Sequence, residues 1–506
     1  MTFLRRIGII LISGTNKRQT MKKYIFYILS VFLLFTGCKE VVKSPTILNS
    51  LPVIYPDYVG VTVPASIAPL NFTIKSEKYD LIDVVITGKN NGILHVQGKE
   101  IIQFPESDWH KLLNDNIGSS VKVAVSLKYN GAWKQYKSYP IYVSTYPMDY
   151  GLVYRLIAPG YEVYSKMGIY QRDLSNFDQK PIVENTLMPG SCVNCHAFNQ
   201  NNPATMNLHI RGANGATVLW VNGKMEMYNT KTDSTISSCT YPYWHPSGKM
   251  IAYSVNQIKQ AFHSVCNERI EVFDQASDVV VYDLKTNQLH SSPLLKTMDF
   301  ETFPVFSPDG KTLYFCFAKK QDIQSNYNKI KYSLCKIAFD PTTCTFGDHI
   351  DTLVSSTRTG KSISFPRPSF DGKYIMYTQS NYGNFSIWHR EADLQLLSLK
   401  NGTTRPLTEV NSNETESFHD WSINSHWFVF SSRRGDGLYT RPYFSTIDEN
   451  GKATKPFVLP QEDPRFYDNF LFSFNVPEFV TSEVRINANE LEKKALMPDR
   501  KQMMFK

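Results

Sequence analysis

Acidic side chains are missing from the start of this chain: no Asp or Glu precedes Glu40. Arg5, Arg6, Lys17, Arg18, Lys22 and Lys23 all lie there, so six of the formal net charges of +8 belong to residues 1–37 and the rest of the chain carries only +2. A balance that close to neutrality gives no footing for a nucleic-acid surface. Other signatures are lacking too. There is no glycine-rich phosphate loop, no Ser-His-Asp grouping and no pair of carboxylates spaced for acid–base catalysis. Asp-Gly pairs occur, but without the spaced acidic ligands of a calcium loop. No second Cys/His pair stands at zinc-ligand spacing. The apolar run at residues 24–35, YIFYILSVFLLF, is too short to span a bilayer comfortably.

What that run does fit is the core of an export signal. Met21-Lys22-Lys23 supplies the basic start, and Thr36-Gly37-Cys38 follows the apolar stretch. The segment resembles a bacterial lipoprotein signal with Cys38 as the lipidated residue, although Phe35 sits where Leu is commoner. Residues 1–37 are then a signal segment, and Met21 is the working start. Lys39-Glu40 resembles the outer-membrane sorting context of lipoproteins of the Bacteroides group. The implied location is the cell envelope, anchored to the outer membrane and facing the periplasm or the surface.

At 506 residues, 13% of them aromatic and 20% charged, the chain is globular and leans toward strand. From about residue 45 to 145, short alternating runs such as LIDVVITG (81–88) and VKVAVSL (121–127) are punctuated by Gly, Asn, Asp and Pro. One helical stretch, about 107–113, interrupts them. The expectation for 38–145 is a small immunoglobulin-like β-sandwich.

Beyond it the chain repeats itself. YPYWHPSGKMIAYSV from Tyr241, TFPVFSPDGKTLYFCF from Thr302, SFPRPSFDGKYIMYTQ from Ser364 and SFHDWSINSHWFVFSS from Ser417 align. Each reads as a strand ending at an aromatic residue or Pro, a polar turn, and a second apolar strand. Trp244, Phe306, Pro368 and Trp421 mark the register. Asp309-Gly310 and Asp371-Gly372 suit hairpins that need φ > 0, while Asn424-Ser425 departs from the pattern. A degenerate fifth copy lies at 194–212, with Phe198 at the aromatic position. A sixth unit closes from both ends, with 151–157 and 166–174 as outer strands and 470–476 returning from the C-terminal side. This predicts an all-β fold, about six blades over 150–480, followed by a tail, 481–506, with a short polar helix. The repeats resemble TolB-type propellers and their W-SPDGK-x-IAF pattern. That resemblance covers some two thirds of the chain and implies a fold without naming an activity.

Chemistry concentrates in Ser191-Cys192-Val193-Asn194-Cys195-His196, which contains C-x-x-C-H. Two thiols either side of a short loop add to the two vinyl groups of a haem, and the adjacent imidazole reaches the iron. With eight Cys and eleven His in 506 positions, a chance match is rare. A thioredoxin-like redox pair wants a βαβ context, and a structural disulfide leaves His196 unexplained. The cofactor expected is therefore one haem c bound through Cys192, Cys195 and His196. NCHAF together with residues 413–443 resembles a group of uncharacterised bacterial lipoproteins that join TolB-like repeats to a haem motif.

For the sixth iron ligand the candidates are Met206, His209, His245, His263 and His419, with His419 first and His209 second. His196 occupies the register of Pro242, Pro304, Pro366 and His419, so His196 and His419 are expected on inner strands facing the axis. His209 sits on the strand hairpinned to the haem strand, awkwardly close for two nitrogens about 4 Å apart across an iron. The alternative for His419 is a channel histidine bonded to Asp420 or to backbone. Arg433, Arg434, Asp436, Tyr439 and Arg441 form a cationic-aromatic patch suited to a carboxylate, a haem propionate or a partner, against the commoner outcome of a salt-bridged loop.

Three readings of function remain open at this point. One is electron transfer by a mono-haem cytochrome on a propeller scaffold, with a redox partner protein. Another is a haem enzyme or small-ligand sensor with an open sixth site. The last is a non-catalytic TolB-like module that docks proteins or glycans.

Overall fold

The computed structural model describes residues 39–75, 78–159, 166–265 and 268–506. The signal segment and Cys38 lie outside the described residues.

The N-terminal unit is built on the strand Ser120–Tyr129, whose Val121, Val123, Val125 and Leu127 alternate into the core. It pairs antiparallel with Leu81–Gly88, Ala132–Gln135 and Tyr139–Val143. A second sheet of three short strands, Ile54–Tyr55, Phe72–Ile74 and Ile101–Ile102, contributes to the same core. Helix α1, Glu106–Asn114, seals that core with Trp109, Leu112 and Leu113, and the Trp109 indole donates to the Ile67 carbonyl at 2.9 Å. Two strand pairs at the sheet's margins run parallel, unlike an all-antiparallel immunoglobulin-like sandwich.

The remainder is the expected all-β propeller, with sheets of four, five, ten, four and four strands, the ten-stranded one spanning two blades. Blade 1 takes Gly151–Ile157, Gly168–Asp173 and Gln179–Glu184 from the beginning and its innermost strand, Ser473–Val480, from near the end. Blade 2 runs from Ser191–Asn199 outward to Lys224–Asn229, and blade 3 from Cys239–Trp244 to Gln288–His290. Blade 4 begins with Phe300–Phe306, blade 5 with Ser362–Pro368 and blade 6 with Glu416–Trp421. Closing blade 1 with strands from both ends removes the open edges a linear array would expose.

The inner strands share one device. Each breaks register at a bulge, between Asn194 and Ala197, Thr240 and Tyr243, Thr302 and Val305, Ser364 and Arg367, and Ser417 and Asp420, with a matching break opposite Ser473–Val480. At each bulge a non-glycine residue takes a left-handed φ of 47–51°: Cys195, Tyr241, Phe303, Phe365, Phe418 and Val476. Such a backbone costs about 1–2 kcal/mol per residue. Three residues on stand Phe198, Trp244, Phe306, Pro368, Trp421 and Phe479. These pack between blades: the Trp244 indole donates to the Ala197 carbonyl at 3.2 Å, and that of Trp421 to the Arg367 carbonyl at 3.0 Å. In the blade 6 turn, Ser425 adopts the left-handed φ of 63° that glycine takes elsewhere, which resolves the departure from the Asp-Gly pattern.

The tail does more than form the expected helix. Helix α2, Ala488–Leu496, is capped by the Asn487 side chain and buries Leu491 and Ala495. Beyond it, Lys501–Gln502 pairs with the outer strand of blade 2 and Met504–Phe505 with that of blade 3. The tail is thus part of the propeller rim.

Candidate functional site

Because the bulges recur at one height, their side chains form a tier around one end of the axis. On blades 3 to 6 that tier is aromatic. Tyr241 and Phe303 have ring centroids 4.5 Å apart, Phe303 and Phe365 4.4 Å, and Phe365 and Phe418 4.8 Å. On blade 2 the same position is Cys195. The rings wall a cavity of about 550 Å³ that also takes in Cys192, His196, Arg155, Arg211, Trp388 and Arg433. The signal was present in the sequence, as the residue preceding each Pro or His of the aligned repeats, but its left-handed backbone was not legible there.

One side of the cavity is raised by the long hairpin of blade 3, Met250–Phe262 and Ile270–Asp283, which contributes Ile258, Phe262 and Val272. That hairpin is held across to blade 5. Glu271 meets the His389 Nε2 at 2.9 Å, and Asp274 accepts from Tyr332 and Asn384, each at 2.7 Å.

Cys192, Cys195 and His196 therefore face one space. Both thiols are free and half-buried, and burial pushes the Cys192 thiol up. His196 is 3% exposed and its Nε2 has no hydrogen-bond partner. Burial, reinforced by Arg155, pushes the imidazole down to about 3, against a partial upward pull from the Val476 and Val153 backbone. It is thus neutral at neutral pH, the state in which imidazole binds a metal. Neither Arg155 nor Arg211 forms an ion pair among the described residues, and Arg155 keeps a buried Nε without a partner. Cys316 and Cys335 are ordinary buried strand thiols.

The two foremost candidates for a sixth ligand separate. His419 lines the cavity, but its ring turns toward blade 5, where Nε2 meets the Met376 carbonyl at 3.0 Å; Nδ1 is buried and unpartnered. The expectation that this imidazole points to the axis is corrected, because the strand bulge aims it between blades. His209 does not reach the cavity. Its Nδ1 meets the Thr217 hydroxyl at 3.1 Å, and it lines a separate cavity of about 390 Å³ with Tyr228 and Asn256. Among the described residues no group of three or more His, Cys, Asp or Glu side chains is placed to hold a metal ion.

Deeper along the axis, two residues after each bulge, stand Ala197, Tyr243, Val305, Arg367, Asp420 and Glu478. The Arg367 guanidinium lies over the Tyr243 ring at 5.5 Å. Asp420 accepts from the Phe479 N–H at 2.9 Å, whereas Glu478 keeps one carboxylate oxygen buried without a partner. Burial pushes both carboxyls up; Asp420 raises Glu478 further and Asp149 raises Asp420, with Arg367 opposing in both cases. Since their folded values lie above the unfolded ones, the stability they contribute is complete in acid and is lost as pH rises through the raised values. Glu478→Gln is expected to flatten the decline of melting temperature between pH 5 and 9. The gain is about 1.4 kcal/mol for each unit of displaced titration removed. An unchanged thermal profile in that range refutes the shared burden.

No family model matches the chain. Dipeptidyl-peptidase 5 of Porphyromonas gingivalis is 23% identical over 170 residues, which is 33% of this chain and only 20% of that protein's length. Among solved structures, the GH74 enzyme of Niastella koreensis is similar with a TM-score of 0.39 and 11% identity, over 62% of this chain and 46% of that one. The Dos1 propeller has a TM-score of 0.34 and 11% identity over 55% and 63%. The periplasmic gluconolactonase of Pseudomonas aeruginosa has a TM-score of 0.33 and 11% identity over 61% and 96%. What the sheets establish is the class to which this chain belongs, the all-β propellers.

Proposed function

We propose that this chain is an exported, lipid-anchored propeller protein carrying one covalent haem c in its axial cavity and working in electron transfer. One observation carries the reading: Cys192, Cys195 and His196, a neutral imidazole whose Nε2 has no partner, sit on a single bulged strand and line one aromatic-walled cavity. Its volume, about 550 Å³, falls in the usual range of about 300–1,000 Å³ for a small-molecule site.

The residues fit the group. Cys192 and Cys195 are the attachment points, and His196 Nε2 is a buried nitrogen that nothing in the protein occupies. Tyr241, Phe303, Phe365 and Phe418 supply flat apolar surface that excludes water, and the arginines answer negative charge. A haem held there supplies a one-electron iron couple, its potential tuned by axial ligand and burial. Because both cysteines are half-buried, the attached edge lies within reach of the cavity mouth, where a redox partner docks.

A second reading has its own support. With the His419 Nε2 given to the Met376 carbonyl and the ring turned between blades, only its buried Nδ1 is left for an iron. A sixth position left open would make the chain a haem enzyme or small-ligand sensor. Low-spin spectra of the reduced protein support electron transfer, and high-spin spectra with nitric oxide binding support the second reading.

The decisive experiment is intact-mass analysis of the full chain made in a host with a cytochrome c maturation system. The expected result is one added porphyrin mass and a pyridine haemochrome spectrum of thioether-linked haem. Polypeptide mass alone overturns the proposal and leaves a propeller that docks proteins or glycans.

A further inference from the structure

The cavity contains a buried guanidinium with no carboxylate in ion-pair contact among the described residues. Arg433, just past the strand Trp427–Ser432 of blade 6, is 2% exposed. Its guanidinium carbon lies 3.1 Å from the centroid of the Trp388 indole. Its Nε and Nη1 are buried without hydrogen-bond partners, and no carboxylate comes within ion-pair distance among the described residues. The nearest acids are engaged elsewhere. Glu414 pairs with Arg390 at 3.0 Å. Asp436 accepts the N–H groups of Leu438 and Tyr439 and lies 3.7 Å from Arg441. The neighbouring Arg434 is satisfied by Glu416 and by the Val410 carbonyl. A buried charge without a partner is strongly disfavoured, so the packing of Arg433 calls for an anion that enters the cavity.

Position gives that anion a direction. Trp388 belongs to blade 5 and the cysteine pair to blade 2, which face each other across the ring, and Arg433 reaches in from blade 6 beside Trp388. We infer that Arg433, backed by Trp388, is a carboxylate-binding site at the end of the cavity opposite Cys192 and Cys195. Guanidinium is the side chain best matched to a carboxylate, through parallel N–H donors and permanent charge. Two sources share this chemistry. One is a porphyrin propionate, a source that rests on the haem reading. Thioether bonds to the cysteines fix the vinyl side of the macrocycle, and the propionates leave from the opposite side, toward Arg433. The other is a free small dicarboxylate.

The test uses the full chain from a maturation-competent host, with intact mass deciding separately whether porphyrin is attached. Midpoint potential as a function of pH and succinate binding by calorimetry are then measured for wild type, Arg433→Lys and Arg433→Gln. If a propionate is the occupant, Arg433→Gln moves the propionate's titration in the potential's pH profile upward, Arg433→Lys moves it less, and succinate does not bind. If a free carboxylate is the occupant, succinate binds wild type roughly tenfold or more tightly than Arg433→Gln, and the potential stays put. Should the chain carry no porphyrin, the haem reading fails and succinate binding to the unloaded protein decides the site alone. Arg433→Gln with wild-type melting, wild-type pH profile and no difference in succinate binding overturns the inference. If Arg433→Gln does not fold, the same null result with Arg433→Lys, together with equal heats for succinate and neutral succinamide on wild type, overturns it.

Discussion

Protein carrying Cys192→Ser together with Cys195→Ser is expected to leave a maturation-competent host at the mass of its polypeptide, with no porphyrin attached. The expectation is all-or-none because each thioether needs a thiol in the cavity, and among the described cysteines only these two line it. Cys239, Cys316, Cys335 and Cys344 are buried in the blades and present no sulfur to that space. Each single variant keeps one attachment point, so a fraction of singly linked haem with an altered haemochrome band is expected. Melting temperature of the unloaded double variant should stay near that of the unloaded wild type, since a half-buried serine replaces a half-buried thiol. Covalent porphyrin in the double variant, read by intact mass, refutes the attachment sites.

The second large effect is on stability. His389→Ala is expected to cost about 3–5 kcal/mol at pH 7, the scale for breaking a buried ion pair and leaving one charge alone. His389 and Glu271 are 4% and 5% exposed at their side chains, and Glu271 has a second oxygen with no partner at all. Burial opposes the charge on His389, but its bonds to Glu271 and Glu391 outweigh burial and raise it from 6.5 to about 9. The folded protein therefore keeps a proton that the unfolded chain releases near pH 6.5. The stabilisation is complete below that pH and is lost as pH climbs through about 9. Denaturant melts of wild type and variant should converge above pH 9 and diverge most below 6.5. A difference under about 1 kcal/mol at pH 7, the scale of an exposed pair, refutes the assignment. The consequence reaches the cavity, because His389 follows Trp388, the plate beneath Arg433, and ties it to the blade 3 hairpin that forms the opposing wall.

Local chemistry made much of this legible in advance. The aligned Trp244, Phe306, Pro368 and Trp421 fixed the inner strands, because an aromatic residue or Pro recurring before a polar turn must fill the same inter-blade space each time. Residues 470–476 are expected in the closing blade because an open array would leave exposed edges, and the strand found there is Ser473–Val480. Other features depend on neighbours distant in sequence. His419 looks like an axial ligand by register, yet a bulge and a carbonyl on the preceding blade claim its Nε2. His209 looks adjacent to the haem strand, yet the pleat sends its ring to another cavity. The last residues pair with blades 2 and 3 although their sequence announces no strand, since two-residue strands carry no readable period.

The sequence by itself determined the repeat, the propeller class, and the adjacency of two thiols and an imidazole, because each is written in spacing a few residues long. Only the tertiary structure decided that Cys195 stands in a ring of left-handed residues with Tyr241, Phe303, Phe365 and Phe418. It alone decided that Arg433 and Trp388 face that cysteine across the axis. Closure of the blades brings together side chains more than two hundred residues apart, and no local pattern encodes which of them will share a cavity.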